Sequence, residues 1–203
     1  VQVSSDGIPY IFHDETLTRL LNRNDVFSSL HSSEIDNLKI FKEHSIPKLE
    51  TVLTMFPDMK FQIDVKTDEV AMPALAVIQE NNAMDRVCIA SFNSKRLSLV
   101  NNNYPDICIS MGPYEVAKML LSSFGLYKKT ILGNCLQIPI YEYGIKLVTK
   151  RFVKFIHSKG LKVCVWTIND EKNFKYLIDL GVDGIITDKP KLLFEVLNSD
   201  SNQ

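Results

Sequence analysis

Several things are scarce in this chain, and each shortage excludes a class of protein. There is no basic excess: 23 Lys and Arg stand against 24 Asp and Glu, for a formal net charge of -1 and a pI of about 6.5. Binding a phosphate backbone requires a cationic face, so no nucleic-acid partner is implied. Blocks of like charge are missing as well, which argues against a disordered interaction tail. No apolar run approaches the roughly 18 residues of a membrane span. The residues from Val1 onward do not read as a signal peptide; a signal or membrane segment would have to lie upstream. Cysteine is limited to Cys88, Cys108, Cys135 and Cys164, widely spaced and inside strand-like runs. That pattern reads as buried thiols in a reducing, cytoplasmic setting rather than a disulfide frame or a zinc site.

What is present fits one soluble globular domain over 1–203, with 45% hydrophobic and 23% charged residues. Short β-branched runs at 61–66, 86–91, 107–110, 135–139, 162–167 and 184–187 read as strands. Between them, 71–82, 94–101, 114–122, 149–159, 171–180 and 191–197 carry apolar residues at three-to-four spacing and read as helices. Repeated strand-helix alternation points to a parallel sheet. With 8–13 counted as a further strand region, the units are too many for a simple two-layer domain. The expectation is an α/β fold, a TIM (β/α)₈ barrel. Such barrels take about 250 residues, so this one is expected to be truncated at its amino terminus by roughly one strand-helix unit and the start of the next strand.

Four stretches carry chemistry. Residues 1–14, VQVSSDGIPYIFHD, read as the end of a strand, an Asp6-Gly7 turn, and a strand ending in His13. A His-Asp pair at a strand end is often structural, but an imidazole there is also well placed for proton transfer. In the run 61–66, FQIDVK, Asp64 and Lys66 are two apart and share a face, while Ile63 and Val65 take the other. The pair is either a core ion pair or part of a site. Trp166, the only tryptophan, ends a strand in Val-Trp-Thr-Ile-Asn; burial in the core is its ordinary use. Residues 181–190, GVDGIITDKP, combine tight glycines with an Asp188/Pro190 helix-start signal.

Together these stretches resemble the glycerophosphodiester phosphodiesterase family. Its pattern is His-Arg, Glu-x-Asp, a variable strand, Asp-Gly and a strand ending in His-Asp, then Glu-x-Lys, Trp-Thr-x-Asn and a Thr-Asp-x-Pro finish. The resemblance runs from Val1 to about Leu197, and Pro47-Lys48-Leu49-Glu50 adds the family's Pro-x-Leu-Glu helix entry. The family's first histidine, its arginine and two of its three metal carboxylates would lie before Val1. The resemblance implies metal-dependent hydrolysis of a glycerophosphodiester to glycerol 3-phosphate and an alcohol, the glycerol 2-hydroxyl attacking first. It implies His13 as the acid for the departing alcohol and Lys66 as the phosphate contact. Asp64, in place of the usual glutamate, becomes the third ligand of Mg²⁺ or Ca²⁺, a hard oxygen donor. Trp166, Phe92 and Gln137 are implied as substrate-facing.

Two alternatives belong with this reading: lysophospholipase D-type activity on lipid substrates, and an inactive fragment or pseudoenzyme lacking the amino-terminal elements. The small-molecule partner is accordingly a glycerophosphodiester or a lysophospholipid. The segment 114–129 is open in the same sense. Its apolar residues fit an ordinary barrel helix, whereas a Ser-Ser-Phe-Gly break beside Lys128 and Lys129 would let 122–129 act as a lid or a peripheral membrane contact.

Overall fold

The computed structural model describes residues 1–200, in two compact units divided between Ile109 and Ser110. In the amino-terminal unit, β1 (Gln2–Val3) and β2 (Pro9–Tyr10) pair antiparallel around the Asp6-Gly7 turn, where Gly7 has φ +86°. The helices α1 (Thr18–Leu21), α2 (Ser32–Ile35) and α3 (Leu49–Met55) follow. Then β3 (Phe61–Asp64), α4 (Asp68–Glu80), β4 (Val87–Ala90), α5 (Ser94–Asn103) and β5 (Cys108–Ile109) alternate, and the three strands form a parallel sheet in the order β3-β4-β5.

The alternation follows from side-chain period. Ile63, Val65, Val87 and Ile89 are buried against Val70, Ala74, Leu75 and Ile78 of α4 and Leu97 and Val100 of α5. Each fully buried aliphatic side chain contributes about 1.5–3 kcal/mol. A second cluster holds the irregular segment 12–46. Phe12 stacks on Phe27 at 4.8 Å, and Tyr10 meets the same ring edge-on at 5.8 Å. The Tyr10 hydroxyl donates to Asp36 at 2.8 Å, and burial pushes that phenol well above its ordinary range. Asp6 does more than turn the chain. Its carboxylate accepts from the backbone and hydroxyl of Ser32, at 2.8 and 2.6 Å, pinning the turn to the start of α2.

The carboxyl-terminal unit contains α6 (Pro113–Ser123), β6 (Cys135–Ile138), the hairpin strands β7 (Tyr141–Glu142) and β8 (Ile145–Lys146), and α7 (Lys150–Ser158). It ends with β9 (Lys162–Val165), α8 (Glu171–Leu180), β10 (Gly184–Ile185) and α9 (Pro190–Asp200). The sheet is parallel, in the order β10-β9-β6. Gly184 is required by close approach: a Cβ there would lie 2.9 Å from the Cys164 sulfur. The two terminal motifs lock together. Asn169 Oδ1 accepts from Thr187 Oγ1 at 3.0 Å and from the Asp188 backbone at 2.9 Å, while its amide donates to the Asp188 carboxylate at 2.9 Å. Asp188 therefore ties the segments that follow β9 and β10, just before the helix that starts at Pro190 as expected.

Caps close most of the strand-to-helix loops. Thr67, Asn93, Thr149 and Asp170 each accept a backbone N–H from the first turn of the following helix. The differences from the sequence expectation lie in irregular regions. The strand expected over 8–13 stops at Tyr10, because Ile11 instead donates its N–H to the Pro47 carbonyl. The β7–β8 hairpin has no strong sequence signal, since its turn places Tyr143, a non-glycine residue, at φ +48° before Gly144.

Asp183 fastens α7 to β9, accepting from the Val163 N–H at 2.8 Å and pairing with His157 at 2.9 Å. Burial opposes its ionisation, but these two donors and Lys162 outweigh that, and its carboxyl is held below the usual range. A depressed folded-state value means the stabilisation is present above the unfolded value of about 3.9 and is lost as pH falls through the folded one. Asp183→Asn is expected to cost about 1–2 kcal/mol at neutral pH and to converge with wild type in strong acid. Urea unfolding midpoints followed across the acid limb will check this, and a constant difference at all pH values would refute it.

Candidate active site

The period of β3 and its continuation settles which side chains reach the site. Ile63 and Val65 enter the core, leaving Asp64 and Lys66 on the opposite face, where Lys66 Nζ lies 2.6 Å from Asp64 Oδ2. The other carboxylate oxygen, Oδ1, is buried and has no hydrogen-bond partner among the described residues. An unsatisfied buried carboxylate oxygen is costly, and its hard donor character suits a divalent cation of the Mg²⁺ or Ca²⁺ kind. The ion pair and the ligand reading thus coexist in one side chain, each using a different oxygen.

His13 comes from the loop after β2. Its Nε2 lies 3.4 Å from Lys66 Nζ, and its Nδ1 lies 2.7 Å from Asp14 Oδ1. An ammonium can only donate, so Nε2 is the acceptor and Nδ1–H donates to Asp14. Arg19 holds the other Asp14 oxygen at 2.7 Å, and Arg19 and then His13 keep this carboxyl below its usual range. Gln2, buried on β1, donates to the His13 carbonyl at 3.5 Å. A continuous chain therefore runs Arg19, Asp14, His13, Lys66, Asp64. Phe92 is largely exposed, with its ring centroid 6.0 Å from Lys66 Nζ. An open cavity of about 620 Å³ is lined by Gln2, His13, Asp14, Lys66, Asp68 and Arg96, with the carboxylates of Glu15 and Glu69 on the same wall.

Four of the residues expected from sequence, His13, Asp64, Lys66 and Phe92, are thus gathered in the amino-terminal unit. Gln137 and Trp166 belong to the carboxyl-terminal unit. Gln137 is half-buried in β6, and Trp166 is half-buried just past β9, its backbone N–H donating to Ile138.

Sequence reasoning missed Arg96, which reads as a surface cation in the first turn of α5. Its side chain is only 10% exposed. The guanidinium donates to the Val65 carbonyl at 2.9 Å, to Ser91 Oγ at 2.8 Å and to Asp68 Oδ1 at 2.7 Å. Ser91 Oγ itself donates to the Val65 carbonyl at 3.1 Å. One side chain thereby clasps the end of β3, the end of β4 and the start of α4, fixing the backbone between Asp64 and Lys66. Its signal in the sequence was slight: an Arg following an Asn cap.

Parallel strands alternating with helices, and charged side chains gathered at a strand end, suit a class of α/β protein that acts on an anionic phosphate ester. A family model described as the glycerophosphoryl diester phosphodiesterase family matches residues 1–192. The chain is 31% identical to the "Probable glycerophosphodiester phosphodiesterase 2" of Mycobacterium tuberculosis, over 97% of the chain and 77% of that relative. It is 21% identical to human "Lysophospholipase D GDPD1", over 98% of the chain and 76% of that protein. Among solved structures, an Oleispira antarctica phosphodiesterase in complex with the product sn-glycerol-3-phosphate superposes with a TM-score of 0.78 at 21% identity, covering 97% of this chain and 82% of that one. The chain belongs to the glycerophosphoryl diester phosphodiesterase family and has its α/β TIM-barrel fold, with six parallel strands among the described residues.

Arg96→Lys keeps the charge but cannot hold Asp68, Ser91 and Val65 together, because an ammonium lacks the planar fork. It is expected to destabilise the protein by about 1–2 kcal/mol, and Arg96→Ala by about 3 kcal/mol, since that variant strands buried acceptors. Thermal unfolding monitored by circular dichroism measures both. Equal stability of wild type and Arg96→Ala would show the clasp to be dispensable.

Proposed function

We propose that the chain, as a single barrel domain, carries the hydrolytic site of a metal-dependent glycerophosphodiester phosphodiesterase that releases glycerol 3-phosphate and an alcohol. The observation that carries this reading is the linked set His13, Lys66 and Asp64 beside one cavity, with a carboxylate oxygen left unsatisfied. Lys66 is placed to face the anionic phosphodiester. His13 is placed to give its proton to the oxygen of the departing alcohol as the P–O bond breaks, with Asp14 orienting the ring from Nδ1. Asp64 would hold the divalent cation through Oδ1. Such an ion, when bound, supplies positive charge at the phosphoryl oxygens. Phe92, Gln137 and Trp166 complete the reading as substrate contacts. A cytoplasmic setting is consistent with four cysteines outside any disulfide. No helix among the described residues is long and apolar enough to cross a membrane.

His13→Ala is expected to lower turnover of glycerophosphocholine by ~10²–10⁴-fold, and less with a p-nitrophenyl leaving group. Asp64→Asn should weaken Mg²⁺ affinity in isothermal titration about tenfold or more. Wild-type turnover in the first variant, or unchanged affinity in the second, would overturn the corresponding role.

A second reading, action on lysophospholipids through a lid or membrane contact at 122–129, is favoured by the exposure of Phe124 (57%) and Leu126 (74%) beside Lys128 and Lys129. Replacing Phe124 and Leu126 together with serine should then reduce activity on lysophosphatidylcholine much more than on glycerophosphocholine. Equal losses on the two substrates, or no loss on either, would return the segment to a structural role.

A further inference from the structure

We infer that the carboxyl-terminal unit carries a docking surface for an anionic lipid bilayer, formed by the end of α6, the first turns of α7 and the β7–β8 hairpin. The inference is independent of which bond the active site cleaves.

Charge is the first argument. Residues 110–160 hold eight Lys and Arg against Glu115 and Glu142, a net of +6, while the rest of the chain sums to -7. A near-neutral protein has thus concentrated its cations in one quarter of its length. Lys150 and Arg151 even occupy the first turn of α7, which has no acidic residue, at the helix end where the dipole already disfavours cations. Their placement costs the helix stability, and that cost is offset when an anionic surface lies opposite.

The second argument is the company these cations keep. Arg151 stacks over the Phe124 ring at 3.9 Å and donates to the Ser123 carbonyl at 2.7 Å, joining the end of α6 to the start of α7. Lys118 lies 4.0 Å from the Tyr114 ring and 6.0 Å from that of Tyr127. Lys146 lies 4.5 Å from the Tyr176 ring. The hairpin closes at its base, where Leu147 and Val148 both donate to the Ile140 carbonyl, and Thr149 then caps α7, so the hairpin runs directly into that helix end. At that tip Tyr143 is 95% exposed, held out by a left-handed backbone followed by Gly144. Exposed aromatics and aliphatics with long cationic stems alongside are the composition that inserts at a headgroup layer. A second copy presenting the same face would be repelled by its own charge, which favours the anionic bilayer as occupant.

The test is cosedimentation of the purified chain with vesicles of phosphatidylcholine alone or mixed with phosphatidylserine. Binding is expected only with phosphatidylserine and should weaken as salt shortens the screening length. Reversing Lys128 and Lys129 to Glu should lower the partition coefficient about tenfold, and Leu126→Ser with Tyr143→Ser should lower it while leaving the salt dependence in place. Circular dichroism checks the fold. Lys128 and Lys129 are exposed and outside regular structure, so the charge reversal remains decisive if the serine pair unfolds. No sedimentation with phosphatidylserine, equal sedimentation without it, unchanged partition in the charge-reversal variant, or binding to a polyanion such as heparin without binding to vesicles would each overturn the inference.

Discussion

The two-residue period of β3 and the residues following it is the constraint on which the amino-terminal unit depends. Ile63 and Val65 are fixed in the core by α4 and α5, so Asp64 and Lys66 have no choice of face. Slipping the register by one residue would bury a carboxylate and an ammonium in an aliphatic cluster and expose two β-branched side chains. The parallel pairing of Phe61 through Asp64 with Val87 through Ala90 prevents that slip. Arg96 then holds the backbone beyond the ladder, where strand hydrogen bonds no longer reach, through the Val65 carbonyl. Site geometry is thus inherited from sheet packing and extended by one buried cation.

The regular elements were legible for the same reason. The helix expected over 171–180 occupies those residues, since its apolar spacing, Asp170 cap and Gly181 stop all agree. The six parallel strands among the described residues lie inside the runs expected of them, each shortened at one or both ends. Illegible parts were those in which side chains replace backbone regularity. His13 sits beyond a two-residue strand, in a segment held by Phe12–Phe27 stacking and a bond to Pro47 that no local pattern encodes. The helix after Asp188-Lys189-Pro190 starts at Pro190 as those residues implied, whereas the tie from Asp188 to Asn169, 19 residues away, has no local signal. Spacing alone pairs Asp64 with Lys66, whereas the Arg96 clasp joins three elements that no local pattern links.

Electrostatics divides the two units in sign. The amino-terminal unit, 1–109, carries ten basic and fifteen acidic residues, and the remainder thirteen and nine. An acidic environment around an anionic substrate's site would slow encounter unless cations face the substrate directly. The cavity wall bears Asp14, Glu15, Asp68 and Glu69, and the cations on that wall are Lys66 and Arg96. Arg96 is committed to Asp68 and to two neutral acceptors, so on the function proposed above the phosphate contact falls to Lys66.

Lys66 also constrains what His13 can do. While the ammonium points at Nε2, that nitrogen accepts, the ring proton resides on Nδ1, and the imidazole has nothing to donate toward a leaving group. A proton on Nε2 would set two donors against each other at 3.4 Å, so the acid form requires Lys66 to turn away. On the function proposed above, an arriving phosphodiester would offer a stronger acceptor than an imidazole and draw the ammonium onto its own oxygens. The Nε2 position is then free to carry a proton, and Asp14, still bound at Nδ1, balances the imidazolium that results. In the proposed reaction, substrate charge would thereby prepare His13 as the acid.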